Sequence, residues 1–299
     1  MAWFHRPKLS LVVIVYDMGR EAPRTLRSLA LPYQTGIAAD DYEVIVVDNG
    51  SPVPLGEAVV QACGPQFRYL YIDKAAKSPA AAINQGVAMA RGKYVGIFID
   101  GARLASPGLL ALALEAFRLH ADPVVATLAW HLGPELQQKS VLKGYDNAAE
   151  DQLLESIAWP RDGYRLFEIS VLAASSFKGY AAAPSESNAL FLRRGTYKKL
   201  GGFDPAFDLP GGGLLNLDFF IRALERESPL VMLFGEGTFH QIHGGASTSA
   251  PAETDRFQQW AAQYQRIRGK PWRHPEKVMQ YLGAPTHPSL QAAFAALPR

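Results

Sequence analysis

Three acids in the first hundred residues each close an apolar run. Asp17 follows "LSLVVIVY", Asp48 follows "YEVIVV" and Asp100 follows "YVGIFI". A carboxylate at such a tip can accept from an imide N–H or a ribose hydroxyl, or ligate a divalent cation. Tyr16, beside Asp17, offers a ring for a nucleobase to stack on, and Asn49 extends the polar tip at Asp48. "DNGS", 48–51, also reads as a plain turn, because Asn-Gly is a strong turn signal. After Asp100 come only Gly101 and Ala102, where a metal or phosphate site would want a second acid. Two histidines stand late, in "HQIHGG". On a strand, positions i and i+3 face opposite sides. His243, beside Gly244-Gly245, is therefore the candidate for chemistry, and His240 is expected to pack unless the strand ends between them.

The apolar runs are what must position these groups. Runs 9–17 and 42–51, rich in Val and Ile, read as strands buried on both faces, as in a parallel sheet. Further strands are expected over 67–73, 93–100 and 124–132. Helical patterns lie between them, over 20–31, around 54–63, over 78–92 and over 106–120; Pro23 suits a first turn. Strands alternating with helices predict an α/β chain, a doubly wound and mostly parallel sheet flanked by helices. Ligands of such sheets bind beyond the carboxyl ends of the strands, which is the edge where the polar tips gather. Residues 133–185 mix short helical signals with loops. A strand and a short helix follow over 186–204. "PGGG", 210–213, feeds an amphipathic helix that opens near Asp218. It lacks the Lys-Ser/Thr of a P-loop and reads as a lid beside an acceptor. A strand covers 230–245. One domain is expected, with a donor half at 1–125, an acceptor half at 126–250, and a helical or loop extension at 251–299.

Composition narrows the class. Hydrophobic residues make up 48% of the 299, enough for one large α/β domain. The net charge of +2, from 30 basic and 28 acidic residues, argues against a nucleic-acid partner. The one cysteine, Cys63, excludes an internal disulfide and fits a reducing, cytoplasmic setting. No apolar run reaches the roughly 18 residues of a spanning helix. Trp3 and Phe4 leave peripheral membrane contact open. The sequence leaves the oligomeric state open.

The order of "LSLVVIVYD", "EVIVVDNGS", the helix with Asn84 and Gly86, "GIFID", "LGGFD" and "LNLDFFIRAL" resembles that of GT-A fold glycosyltransferases of family 2. The resemblance runs over roughly residues 9–248. It implies an inverting transfer of a sugar from a nucleoside-diphosphate sugar, uridine- or thymidine-linked, to a hydroxyl of a saccharide, lipid-linked or protein acceptor. It further implies nucleotide-sugar binding by Tyr16, Asp17, Asp48, Asn49, Asn84 and Asp100. A divalent cation, Mn²⁺ or Mg²⁺, would be held by Asp100 and His243. Departing diphosphate gathers negative charge that a cation or positioned donors must take up. The acceptor hydroxyl also needs a carboxylate base. Asp218 is the first candidate for it, with Glu186 and Asp208 as rivals placed beside the acceptor.

The sequence departs from the family at these points. Ala102 replaces the second acid of the Asp-x-Asp motif, and Leu215 and Asn216 stand where the family has Glu-Asp. Ile14 and Val15 replace Pro-Thr, and Ile83 replaces an Arg. A weakened metal site is therefore expected, with Arg103, Lys178 and Arg194 as cationic alternatives. Two other readings are compatible with the residues. One is a GT-A fold module that binds nucleotide or glycan without turnover. The other is a nucleotidyltransferase, disfavoured because the first turn, "VYDMGREAP", carries a single Gly.

Overall fold

The structure is a computed structural model that describes residues 6–244, 253–285 and 287–290, with 253–255 described by backbone alone. Trp3, Phe4 and Gly245 lie outside the described residues. The strands are β1 (Leu9–Val15), β2 (Tyr42–Asp48), β3 (Phe67–Tyr71), β4 (Tyr94–Phe98), β5 (Arg103–Ala105), β6 (Val124–Leu132), β7 (Ser170–Leu172), β8 (Ala189–Arg193), β9 (Leu230–His240) and β10 (Met279–Gly283). The helices are α1 (Ala22–Leu29), α2 (Glu57–Gln61), α3 (Ala80–Met89), α4 (Leu109–Leu119), α5 (Gln137–Leu142), α6 (Asn147–Ser156), α7 (Arg194–Lys199), α8 (Leu215–Leu224) and α9 (Glu253–Arg268).

One sheet runs in the order β10-β9-β6-β8-β4-β1-β2-β3, with β5 added on β9 and β7 on β6. It is the expected mostly parallel sheet flanked by helices. The β3-β2-β1-β4 group is parallel, and so is β6-β9-β10. β8 joins the two groups by running antiparallel to β4 and β6. Alternation along β1 explains the burial on both faces. Val12 and Ile14 pack with α3, while Leu11 and Val13 pack with α1 and α4. Gly86 lets α3 lie close to the sheet: a Cβ there would sit 2.5 Å from a Val12 methyl.

Three strands differ from the sequence expectation. Residues 103–105, which fall between the expected strand 93–100 and helix 106–120, form β5 and pair antiparallel with β9. β7 lies in the stretch left unassigned. β10 lies in the segment expected as helix or loop and pairs in parallel with β9, from Met279↔Leu230 to Gly283↔Phe234. All three are short, and β10 is largely exposed, so no apolar run announces them. Among the described residues no helix is long and apolar enough to cross a membrane.

Candidate active site

β4 ends at Phe98 and the chain turns at Asp100, whose Oδ1 accepts from the Ala102 N–H at 2.8 Å. β5 then sets Arg103 opposite His240 on β9, and the Gln241 N–H donates to the Ala102 carbonyl at 2.8 Å. This stitching carries the end of β9 across to the tip of β4. Since β9 stops at His240, the chain is free to bring His243 back to the same side. His240 Nε2 lies 2.9 Å and His243 Nε2 3.5 Å from Asp100 Oδ2, and the two Nε2 atoms are 3.2 Å apart. His240, expected to pack, is therefore a full member of the site; the opposite-face argument fails because the strand ends between the two rings.

The hydrogen bonding assigns the tautomer of His240. Gln137 Nε2 donates to the His240 carbonyl at 2.8 Å, which turns the amide oxygen toward ring Nδ1 at 2.5 Å. Nδ1 thus carries the proton and Nε2 presents a lone pair to a carboxylate oxygen. Burial, aided by the charge of Arg103, lowers the His240 pKa to about 4, so the ring is neutral near pH 7. Two acceptors at 2.9 Å repel unless positive charge sits beside them. Burial lowers the pKa of His243, but the Asp100 carboxylate outweighs that and raises it above the ordinary imidazole value. Burial would push Asp100 up, but His243 and His240 hold it well below the usual carboxylate range. One carboxylate oxygen and two imidazole nitrogens, all within 4.8 Å of one another, form a donor set that fits a divalent ion. Imidazole pairs suit Mn²⁺ and later transition metals better than Mg²⁺.

Ala102 and Gly101 have packing reasons. Ala102 is fully buried in the apolar layer beneath the tip, with Met18 and Val15. A Cβ on Gly101 would sit 2.8 Å from the Ile14 carbonyl oxygen. These small residues let the β4 tip press against β1; neither opens space for a ligand. Arg103, buried on β5, is a cation beside the site, with Nε 3.7 Å from Asp100 Oδ2 and neither Nε nor one terminal nitrogen hydrogen-bonded among the described residues.

The other expected site residues divide. Tyr16 and Asp17 are exposed at the tip of β1, with Asp17 at φ 52° and its N–H bonded to Ser51 Oγ at 2.9 Å. Both lie at the carboxyl edge of the sheet. Asp48 is fully buried, and its oxygens accept from the N–H groups of Ser51 and Leu55 and from the Tyr69 hydroxyl, each at 2.9 Å. It builds the turn beneath the cleft. Asn49 is buried and donates to the Ala76 carbonyl at 3.0 Å. Asn84 is a clamp between α3 and the 201–204 turn, donating to the Phe203 carbonyl at 2.8 Å and accepting from its N–H at 3.0 Å and from the Tyr197 hydroxyl at 2.5 Å.

Asp218 is 1% exposed in the first turn of α8. Arg222 Nε reaches its Oδ2 at 2.8 Å, and Arg268 on α9 reaches Oδ1 at 2.5 Å and Oδ2 at 2.8 Å. With both oxygens held by guanidinium groups it cannot meet a hydroxyl, so its assignment as base is corrected to a structural ion pair. Asp208 is exposed and accepts from Gln263 at 2.7 Å. Glu186 is half-buried and accepts from Asn216 Nδ2 at 2.6 Å. Pro210–Gly212 is a 3-10 turn, followed by Gly213; Gly211, Gly212 and Gly213 all have positive φ, and Gly213 sits against Trp260.

Sequence reasoning missed the supports of the histidine segment. Gln137, in the unassigned stretch, orients His240. Glu150 on α6 is fully buried, and burial pushes its carboxyl up to about 7. Its Oε2 accepts from the Ile242 N–H at 2.7 Å, and Arg20 spans Glu150, Asp151 and the Ile242 carbonyl. No pattern in the sequence marks either residue, since each acts across about a hundred positions of chain.

The sequence matches "Glycosyl transferase family 2" over residues 10–172. The chain belongs to glycosyltransferase family 2. No curated protein matches it. Solved structures place this family 2 chain among GT-A folds. TarS of S. aureus aligns with TM-score 0.53 and 14% identity, over 86% of this chain and 40% of TarS. TarS 1–349 in complex with UDP-GlcNAc gives 0.52 and 14%, over 86% and 66%. The mannosyltransferase PcManGT from Pyrobaculum calidifontis, in complex with GDP-Man and Mn²⁺, gives 0.53 and 17%, over 97% and 69%. This chain therefore spans less than half of full-length TarS. At these identities the likeness establishes the fold.

Proposed function

We propose that this chain transfers a sugar, with inversion, from a nucleoside-diphosphate sugar to an acceptor hydroxyl. The observation that supports this most is the convergence of Asp100, His240 and His243 beyond the carboxyl end of the sheet, beside the exposed tip that carries Tyr16 and Asp17. Tyr16 would stack on the base and Asp17 would accept from it or from the ribose. Asp100, His240 and His243 would hold a divalent ion, with Mn²⁺ preferred. Such an ion, when bound, takes up the charge that develops on the departing diphosphate. Gln137 keeps the His240 lone pair aimed at the site. Arg103 adds a fixed positive charge behind Asp100, in a buried setting where charge acts strongly. Arg20 and Glu150 hold the 241–243 segment against the tip of β4.

The neighbours' bound molecules agree with this class of donor: UDP-GlcNAc in one and GDP-Man with Mn²⁺ in another. A hexosyl donor linked to uridine or thymidine diphosphate is our first choice, with a saccharide, lipid-linked or protein acceptor. The donor half at 1–125, acceptor half at 126–250 and extension at 251–299 stay as the proposed division, in a reducing, cytoplasmic setting. The absence of an acid at 216 and the locked Asp218 favour one second reading, a binding module without turnover. Release of nucleoside diphosphate from UDP-GlcNAc, UDP-glucose, dTDP-glucose and GDP-mannose, with Mn²⁺ and with chelator, tests both. Mn²⁺-dependent release from at least one donor is expected. Nucleotide binding with no release from any donor would establish the module instead.

A further inference from the structure

We propose that Glu186 is the general base for the acceptor hydroxyl, standing in for the acid absent at residue 216; this rests on the sugar-transfer reading above. Asn216 occupies the second position of α8, where the resemblance expects the Asp of Glu-Asp. Its amide does not point into open space. Nδ2 donates to Glu186 Oε2 at 2.6 Å and lies 3.3 Å from the Ser187 carbonyl and 3.4 Å from Asn188 Oδ1. A neutral amide on α8 thus draws a carboxylate from the neighbouring segment to the place an acid on α8 would serve. One carboxylate is supplied from outside α8.

The strand register brings Glu186 to the reaction edge. β8 pairs antiparallel with β4 up to Ala189↔Phe98. Glu186 lies three residues before Ala189, at the end of β8 that adjoins the carboxyl end of β4. The buried guanidinium of Arg103 feels the charge of both carboxylates, Asp100 and Glu186. Both carboxylates favour the charged form of Arg103.

The rivals are engaged with other partners. Asp218 is enclosed by two arginines, and Asp208 is bonded to α9. Glu186 is half-buried, and its Oε1 accepts no hydrogen bond among the described residues. In the step itself, the proton of the acceptor hydroxyl passes to Glu186 Oε1 as the acceptor oxygen bonds to the anomeric carbon. The bond from that carbon to the diphosphate oxygen breaks, and its electron pair leaves with the diphosphate. When water is the acceptor the same step hydrolyses the donor.

The full chain with Mn²⁺ is assayed for nucleotide release from the four donors above, and UDP and GDP binding is measured by calorimetry. Glu186→Gln is expected to lower release at least about 100-fold, the range for loss of a general base, with nucleotide affinity within twofold of the parent. Combining Glu186→Gln with Asn216→Asp returns the carboxylate to α8 and is expected to recover at least tenfold. In the single variant an amide–amide pair keeps the bond to Asn216, so a merely structural Glu186 would leave release near the parent level. Glu186→Gln keeping more than a third of the parent release, or a double variant no faster than the single one, overturns the assignment. If the parent chain releases nothing from any donor, the sugar-transfer reading falls first and the base falls with it.

Discussion

Asp100 and Asp218 are two acids withdrawn from solvent in one domain, with opposite surroundings. Asp218 meets donors: Arg222 and Arg268 fill both of its oxygens. Asp100 meets one backbone N–H and then two imidazole nitrogens, one of them a lone pair. A carboxylate surrounded by donors is complete and holds structure together. A carboxylate faced by further acceptors is poised to bind a cation. Glu43, at the other end of the sheet, repeats the first pattern with Ser10, Arg68 and Arg91 around it. Sequence position ranked Asp218 as catalytic and His240 as packing; the fold encloses Asp218 between two arginines and sets His240 against Asp100.

The largest expected effect falls on the structural side of this contrast. Asp218→Asn leaves two guanidinium groups without their countercharge and should cost about 3–5 kcal/mol, as breaking buried ion pairs does. Urea unfolding measures this, and Mn²⁺ affinity of the folded variant should stay within twofold. Asp100→Asn should do the reverse, abolishing Mn²⁺ binding by calorimetry and lowering donor turnover about 10²–10³-fold with little loss of stability. Should the two variants behave alike, the distinction fails. Gln137→Leu sharpens it further: without the amide, the His240 tautomer is unfixed, and Mn²⁺ affinity should fall about 10–100-fold, as with other outer-shell partners.

Smaller effects come from pH. Because Asp100 raises the pKa of His243, protons compete with the ion from a higher pH than at an ordinary histidine. Mn²⁺ affinity should be level above that pKa and drop about tenfold per unit below it, one proton being displaced per ion. Glu43 gives the matching structural test. Burial would raise its pKa, but Ser10, the Arg91 N–H, Arg68 and Arg91 together lower it from 4.5. Its contribution to stability is thus fully present above pH 4.5 and is lost as pH falls through the lower native value. In Glu43→Gln, urea midpoints between pH 3 and 6 should lose that slope.

The parallel core was legible because burial on both faces leaves continuous apolar runs such as β1 and β2. The tips were legible for the same reason: a polar residue ending such a run must reach the edge. Tyr16, Asp17 and Asp100 were read as edge residues this way, and the sheet carries them there. Asp48 and Asn84 also carry polar side chains at suggestive places, yet local turn bonds consume them, and only coordinates show where a hydrogen bond goes. His240, Gln137 and Glu150 were hidden because β5 and the 133–185 stretch meet β9 through pairings far apart in the chain. Residue type alone also cannot distinguish a carboxylate held by arginines from one beside imidazoles.

The bond between Asp218 and Arg268 has a practical consequence for anyone trimming this protein for crystallography. Together with β10 on the sheet edge, it makes the stretch after residue 250 part of the fold's own fastening rather than a dispensable tail. Shortened versions ending before α9 would expose the flank of β9 and remove one of the two arginines that hold Asp218, two residues from Asn216. Boundaries drawn beyond Gly283 should therefore yield well-behaved material, and boundaries near 250 should yield aggregates.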